Sequence, residues 1–364
     1  MPSRPGALIY SHCTETDSGD SVDGWLDTAI ETSPGAPTIG LYLNAAAQGA
    51  STERIGEIRD TLAGRLPEGT DLVDYSTSND PMVQTLRAAA RRSALLVVGG
   101  GDGTVAAAVE ALRDTDCRLA IVPLGTMNVF ARDLGLPPDV DGALDVILKG
   151  APAQVDHGEV NGRVFLNGVL LGSFSDLAEE RERLRGVGIG TAFDVVRRAL
   201  STFLEARAHR YRLASLERNI RLRSRVVAVM NNPLSDEPGD PFARQTLTAG
   251  ALDVYASRDP SLFALPKLLM RMIFGRLRTD TRLERWATRE LRIVSRRSTL
   301  KVSIDGEVET LTSPLHCVVR DGAVPVLVPQ VSDRSSSAKP TGATRLTLNG
   351  AAINGGLRSA EEAA

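Results

Sequence analysis

Six consecutive residues, Gly99-Gly100-Gly101-Asp102-Gly103-Thr104, follow the apolar run Leu95–Val98 and lead into a helix-like run, Val105–Leu112. Glycines let backbone N–H groups converge on a ligand without side-chain interference, and phosphate needs several such donors in a small space. A second stretch of the same kind, Pro123-Leu124-Gly125-Thr126-Met127-Asn128, follows the apolar Leu119–Val122 and leads into Val129–Leu134. Backbone amides and hydroxyls of two such loops can enclose a triphosphate from two sides. The first stretch lacks the lysine of a P-loop and is not spaced as G-x-G-x-x-G. Its plainer alternative is a tight strand-to-helix turn in which Asp102 caps the helix.

Positioning these loops falls to an alternation of strands and helices. Strands are expected at Thr38–Asn44, Asp71–Tyr75, Leu95–Val98 and Leu119–Val122. Helices are expected at Ser51–Leu66, with Ile55, Ile58 and Leu62 at helical spacing, and at Asp80–Arg92, with Pro81 in the first turn. Such alternation predicts a parallel sheet with helices on its faces, and ligands of such sheets bind at the carboxyl ends of the strands. Both glycine loops lie at such ends.

Near residue 155 the texture changes to short β-rich runs: Val164–Leu166, Tyr211–Leu216, Val226–Met230, Leu252–Ala256, Leu291–Val294, Lys301–Ile304 and Leu315–Val319, then a final strand Val324–Val328. Helical interruptions fall at roughly 176–206 and 261–275. The expected organisation is a poorly ordered extension over 1–37, a nucleotide-binding α/β domain over 38–155, a β-rich substrate domain over 156–330 with antiparallel strands, and a disordered tail over 331–364.

The 364 residues suffice for two domains at roughly 150 residues each. A net charge of −3 argues against nucleic acid as a partner. The three cysteines, Cys13, Cys117 and Cys317, form no close pair and read as reduced thiols of a cytosolic protein. His12, His157, His209 and His316 show no zinc-ligand spacing. No secretory signal and no apolar run long enough to span a bilayer are visible, so the expected location is the cytoplasm, with any membrane contact peripheral and at the inner face.

The sequence G-G-D-G-T at Gly100–Thr104, followed by P-L-G-T-x-N-x-F-A-R at Pro123–Arg132 and by Gly135-Leu136-Pro137, resembles the diacylglycerol kinase catalytic domain family, which includes bacterial lipid kinases, sphingosine kinases and ceramide kinases. G-G-D-G is shared with NAD kinases and phosphofructokinases; the second motif is the specific one. The resemblance implies an N-terminal parallel-sheet nucleotide-binding domain of NAD kinase/phosphofructokinase type with a C-terminal antiparallel β-sandwich domain. It implies ATP as substrate, Mg²⁺, and a lipid acceptor.

Carried over residue by residue, the nucleotide site comprises Asn44, Thr77, Gly99, Gly100, Gly101, Asp102, Gly103, Thr104, Gly125, Thr126 and Asn128, with Asp102 as metal contact. The D-G-E of the family falls at Asp305-Gly306-Glu307, with Glu307 as general base and Asp305 as its partner or a metal contact; the same residues read as a standard hairpin turn, and both readings hold if the tip reaches the cleft. Departures are visible. Asn44 and Gly49 survive from N-P-x-S-G, Val129 replaces a common Asp, and Thr248-Ala249-Gly250 stands where many bacterial members carry a metal-associated D-D-G.

Two arginine-rich regions remain, Arg181–Arg198 and Lys267–Arg285; the run Leu262–Phe274 within the second reads as an amphipathic surface for anionic lipid or as a core-facing helix with a basic outer face. The leading expectation is an ATP-dependent lipid kinase of phospholipid metabolism acting on a diacylglycerol- or sphingoid-like hydroxyl. The rivals are an NAD-kinase-like enzyme with a soluble acceptor and a non-catalytic nucleotide- or lipid-binding regulator.

Overall fold

The computed structural model describes residues 38–47, 50–78, 80–172, 208–235, 243–259, 261, 270 and 281–330. The terminal segments 1–37 and 331–364 and both expected helical interruptions lie outside these residues, apart from Ser261 and Met270.

The first part is built as its alternation predicts. Strands β1 (Thr38–Leu43), β2 (Asp71–Asp74), β3 (Leu95–Gly100) and β4 (Arg118–Pro123) are parallel neighbours in the order β2-β1-β3-β4. All six residues of β3 are buried, as a near-continuous apolar strand covered on both faces must be. Helix α1 (Thr52–Arg65) starts where Ser51 accepts from the Arg54 amide at 3.1 Å, and buries Ile58 and Leu62. Helix α2 (Met82–Ala90) is shorter than expected, because Pro81 stands before the first turn rather than in it.

Helix α3 (Asp102–Ala111) begins three residues earlier than the apolar pattern suggests, because the extended Gly101 turns the chain directly into Asp102. The short α4 (Val129–Asp133) follows β4. Helix α5 (Val140–Lys149) is not among the expected elements, although Asp139 caps it by accepting from the Gly142 amide at 2.8 Å.

The elements named from residue 151 onward are strands: β5 (Ala151–Val160), β6 (Arg163–Phe165), β7 (Gly168–Gly172), β8 (His209–Ala214), β9 (Asn219–Ser224), β10 (Val226–Asn231), β11 (Leu252–Ser257), β12 (Leu283–Thr288), β13 (Glu290–Ser295), β14 (Thr299–Ile304), β15 (Glu307–Thr312) and β16 (Leu315–Val328). Six of them form an antiparallel sheet, β12-β11-β10-β7-β14-β15. It packs against β16, β13, β8 and β9 around a core that includes Phe165, Val229, Val254, Ile293 and Val302. The fold is therefore a parallel α/β sheet joined to an antiparallel β-sandwich.

The expected strands Leu315–Val319 and Val324–Val328 prove to be one. β16 pairs with β5 along its length and absorbs Asp321-Gly322 in a bulge between Arg320 and Val324. Leu315, Cys317 and Val319 of β16 belong to the sandwich core, whereas Val324, Val326 and Val328 belong to the core of the parallel sheet. Val326 pairs in parallel with Leu119 of β4. The change of texture near residue 155 thus falls inside β5, opposite the strand that joins the two cores. Cys117 and Cys317 are free and buried, and burial pushes both thiols up to about 12.

Beside the far end of α3, His157 of β5 is 4% exposed; its Nε2 lies 3.5 Å from the Glu159 carboxylate, and neither ring nitrogen has a closer polar partner among the described residues. Burial lowers its pKa below 6.5; neighbouring Glu159 opposes the shift, while Arg113 and Arg320 add to it. The unfolded chain then binds the extra proton first, so the stability present at neutral pH is lost as pH falls below 6.5 toward the folded value. Lowering the pH from about 7 to about 5.5 should reduce the melting temperature of the native chain more than that of His157→Leu, which has nothing to protonate there. Equal acid sensitivity of the two proteins would assign the loss to other groups.

Candidate active site

Gly101 is the N-cap of α3 and, lacking a side chain, contributes no capping hydrogen bond. Among the described residues no side chain caps the first-turn N–H groups of Asp102, Gly103 and Thr104, and the first intrahelical bond is Val105 N–H to the Gly101 carbonyl at 3.1 Å. Asn44, at the end of β1, is tied into this turn. Its amide donates to the Gly99 carbonyl at 2.8 Å and its Nδ2 donates to Thr104 Oγ1 at 2.8 Å.

The second loop closes on itself. Asn128 adopts a left-handed conformation (φ 44°) and its side chain brackets Gly125: Oδ1 accepts from the Gly125 amide at 2.9 Å, and Nδ2 donates to the Gly125 carbonyl at 2.7 Å. This conformation is tolerated by Asn because its short polar side chain bonds locally. The two loops then meet backbone to backbone. A Cβ on Gly125 would stand 2.5 Å from the Gly101 α-carbon. Gly125→Ala should therefore destabilise the fold by about 1–3 kcal/mol and weaken nucleotide binding; unchanged melting and unchanged nucleotide affinity would show that the loops need no such contact.

Asp102 does not cap its own helix. Its Oδ1 accepts from the Phe130 amide at 3.1 Å, in the first turn of α4. One carboxylate thus ties the first glycine loop to the helix that follows the second. Its other oxygen can serve a cation, and a single carboxylate combined with nucleotide phosphates suits Mg²⁺, which keeps most of its ligands non-protein.

Across from these loops stands the β14–β15 hairpin. Asp305 and Gly306 occupy its turn with φ 48° and 94°, and Ile304 pairs with Glu307, a two-residue turn of the type Asp-Gly favours. The Asp305 carboxylate accepts from three successive amides, Leu166 (2.7 Å), Asn167 (2.7 Å) and Gly168 (2.8 Å). Burial pushes this carboxyl up to about 6, against those three donors and the nearby Arg244. The Glu307 side chain reaches the glycine turn itself. A Cβ on Gly103 would stand 2.6 Å from Glu307 Oε1, so the carboxylate lies against the first turn of α3.

The fold therefore gathers Asn44, Gly99, Gly100, Gly101, Asp102, Gly103, Thr104, Gly125, Asn128 and Glu307 into one cluster of contacts. Thr126 and Met127 are exposed at the tip of the second loop. Thr77 is exposed in the turn after β2, and it is the preceding Ser76 that reaches β1, where its Oγ accepts from the Leu43 amide at 2.9 Å. Asp305 stands one step behind the cluster, gripping residues 166–168.

At Thr248-Ala249-Gly250, where the family resemblance implies metal-binding carboxylates, the chain is held otherwise. The Ala249 amide donates to Asn232 Oδ1 at 2.9 Å and the Gly250 amide to Asp156 Oδ2 at 2.7 Å. Among the described residues no group of three or more His, Cys, Asp or Glu side chains is arranged to hold a metal, and residues 248–250 do not fit one. Of the basic runs, Arg282 and Arg285 are described; they pair with Asp259 (3.4 Å) and Asp253 (2.8 Å). The amphipathic run 262–274 lies outside the described residues apart from Met270, and no described helix is long and apolar enough to cross a membrane.

Residues 40–160 match the sequence family described as the diacylglycerol kinase catalytic domain. Diacylglycerol kinases of Staphylococcus aureus strains JH9 and Newman are each 34% identical over 128 residues, which is 34% of this chain and 41% of theirs. The matched region thus spans about two fifths of the length of these curated relatives. A crystal structure of a diacylglycerol kinase from Bacillus anthracis str. Sterne has a TM-score of 0.60 at 20% identity and covers 81% of this chain and 98% of its own. A second structure from that organism gives 0.61 at 22% identity, with 80% and 97% coverage. The resemblance read from the two glycine motifs is shown over residues 40–160, and the architecture of both halves is that of the solved structures.

Proposed function

We propose that the chain is an ATP-dependent lipid kinase of phospholipid metabolism that transfers the γ-phosphoryl group of ATP to a hydroxyl of a diacylglycerol- or sphingoid-like lipid, working peripherally at a membrane surface. The observation that carries this reading is the placement of Glu307 from the sandwich hairpin against Gly103 of the phosphate-suited turn. A carboxylate at a phosphate cradle is what transfer to a neutral hydroxyl needs.

In this reading the first-turn amides of α3 and the loop closed by Asn128 hold the phosphates. Glu307 takes the proton of the acceptor hydroxyl as its oxygen forms a bond to the γ-phosphorus. The bond from that phosphorus to the β–γ bridging oxygen breaks and ADP leaves. Asp102 would hold Mg²⁺, which when bound spreads the phosphate charge. Asp305 fixes the hairpin so that Glu307 keeps its place.

The direct comparison is between phosphorylation of diacylglycerol or sphingosine in mixed micelles and phosphorylation of NAD by the same preparation. Lipid product supports the reading. Product from NAD alone would establish a soluble acceptor, and tight nucleotide binding without any product would establish a regulator.

A further inference from the structure

A buried ion pair stands behind the Asp305 grip. The Arg244 and Asp133 side chains are 2% and 5% exposed and form an ion pair through Arg244 Nη1. The same guanidinium donates from Nε to the Asn231 carbonyl at 2.8 Å and from Nη2 to Asn167 Oδ1 at 2.8 Å. Asp133 closes α4, the helix whose first turn donates to Asp102. Asn167 is the middle one of the three residues whose amides grip Asp305. Asn231 adds a second brace, since its Nδ2 donates to the Leu166 carbonyl at 3.1 Å.

The path is continuous: Asp102, the Phe130 amide, α4, Asp133, Arg244, Asn167, Asp305 and then Glu307. A planar guanidinium with donors fixed in three directions can set such a junction, whereas an ammonium cannot. A buried ion pair also contributes little net stability over an apolar pair of similar size, so its use here is geometric.

We infer that Arg244 is a positioning residue that sets the distance between the Asp102 loop and the Glu307 hairpin. The inference deepens the kinase reading and rests on it for its effect on catalysis. Its structural content can be read without catalysis.

The test compares full-length native protein with Arg244→Lys, Asn167→Ala and the paired change Asp133→Leu with Arg244→Met, which removes both charges of the pair together while Asp305 keeps its three amide donors. In hydrogen–deuterium exchange, the amides of 129–133 and of 304–308 should lose protection together in each variant, while those of β3 keep theirs. For the paired variant kcat should fall about 10- to 100-fold, with KM for ATP within about twofold of native. Loosening confined to residues next to position 244, or native kcat in the paired variant, would overturn the inference. If the native protein transfers phosphate to no lipid, the kinase reading fails, and the exchange data alone decide whether Arg244 couples the two segments.

Discussion

Glu307→Gln should lower kcat for lipid phosphorylation by about 10²- to 10⁴-fold, the range a positioned general base contributes. KM for ATP should stay within about threefold, because the amide keeps the size and shape of the carboxylate beside Gly103. Glu307 is exposed on the first residue of β15, so the substitution leaves the sandwich core intact and the melting temperature close to native. A steady-state assay with a calorimetric melt checks both parts. Native kcat in the folded variant would remove Glu307 from the chemistry and return Asp305-Gly306-Glu307 to a hairpin turn alone.

Asp102→Asn should be equally severe for activity, by about 10³-fold or on the order of 4 kcal/mol of transition-state stabilisation, yet mild for folding. The side-chain amide oxygen still accepts from the Phe130 amide, which the native carboxylate meets at 3.1 Å. What it loses is the negative charge that would hold Mg²⁺. Asp102→Ala separates the two roles. It strands the Phe130 amide, 28 residues along the chain at the start of α4, and should lose about 1–3 kcal/mol of stability in addition to activity. Near-native turnover in Asp102→Asn would show that the charge is not needed.

The parts legible in the sequence are those written locally. A buried parallel strand announces itself as Leu95–Val98, and glycines that must let two backbones meet announce themselves at Gly101 and Gly125. The Asp-Gly turn at 305–306 is legible for the same reason, as a two-residue requirement for positive φ. What escapes is whatever depends on a partner far along the chain. Arg244 and Asp133 are 111 residues apart, and nothing in either neighbourhood marks them as a pair.

Local signals also mislead where the sheet overrules them. Asp321-Gly322 looks like the end of a strand, but the ladder with β5 continues past it on a bulge. Asp102 looks like the cap of its own helix, because an acid at the start of a helix usually is one; its bond goes to α4 instead. Asp305 and Glu307 are two residues apart, yet one faces the 166–168 amides and the other the glycine turn. Which acid does which could not be read from their order alone.

The most direct measurement is to incubate the native chain and Glu307→Gln with ATP labelled in the γ-phosphate, Mg²⁺ and a total lipid extract, and to identify every labelled product. The proposed function predicts label in a lipid that carried a free hydroxyl, formed by the native chain and nearly absent with the variant. Label confined to soluble products, or a lipid product formed equally by both proteins, would contradict it.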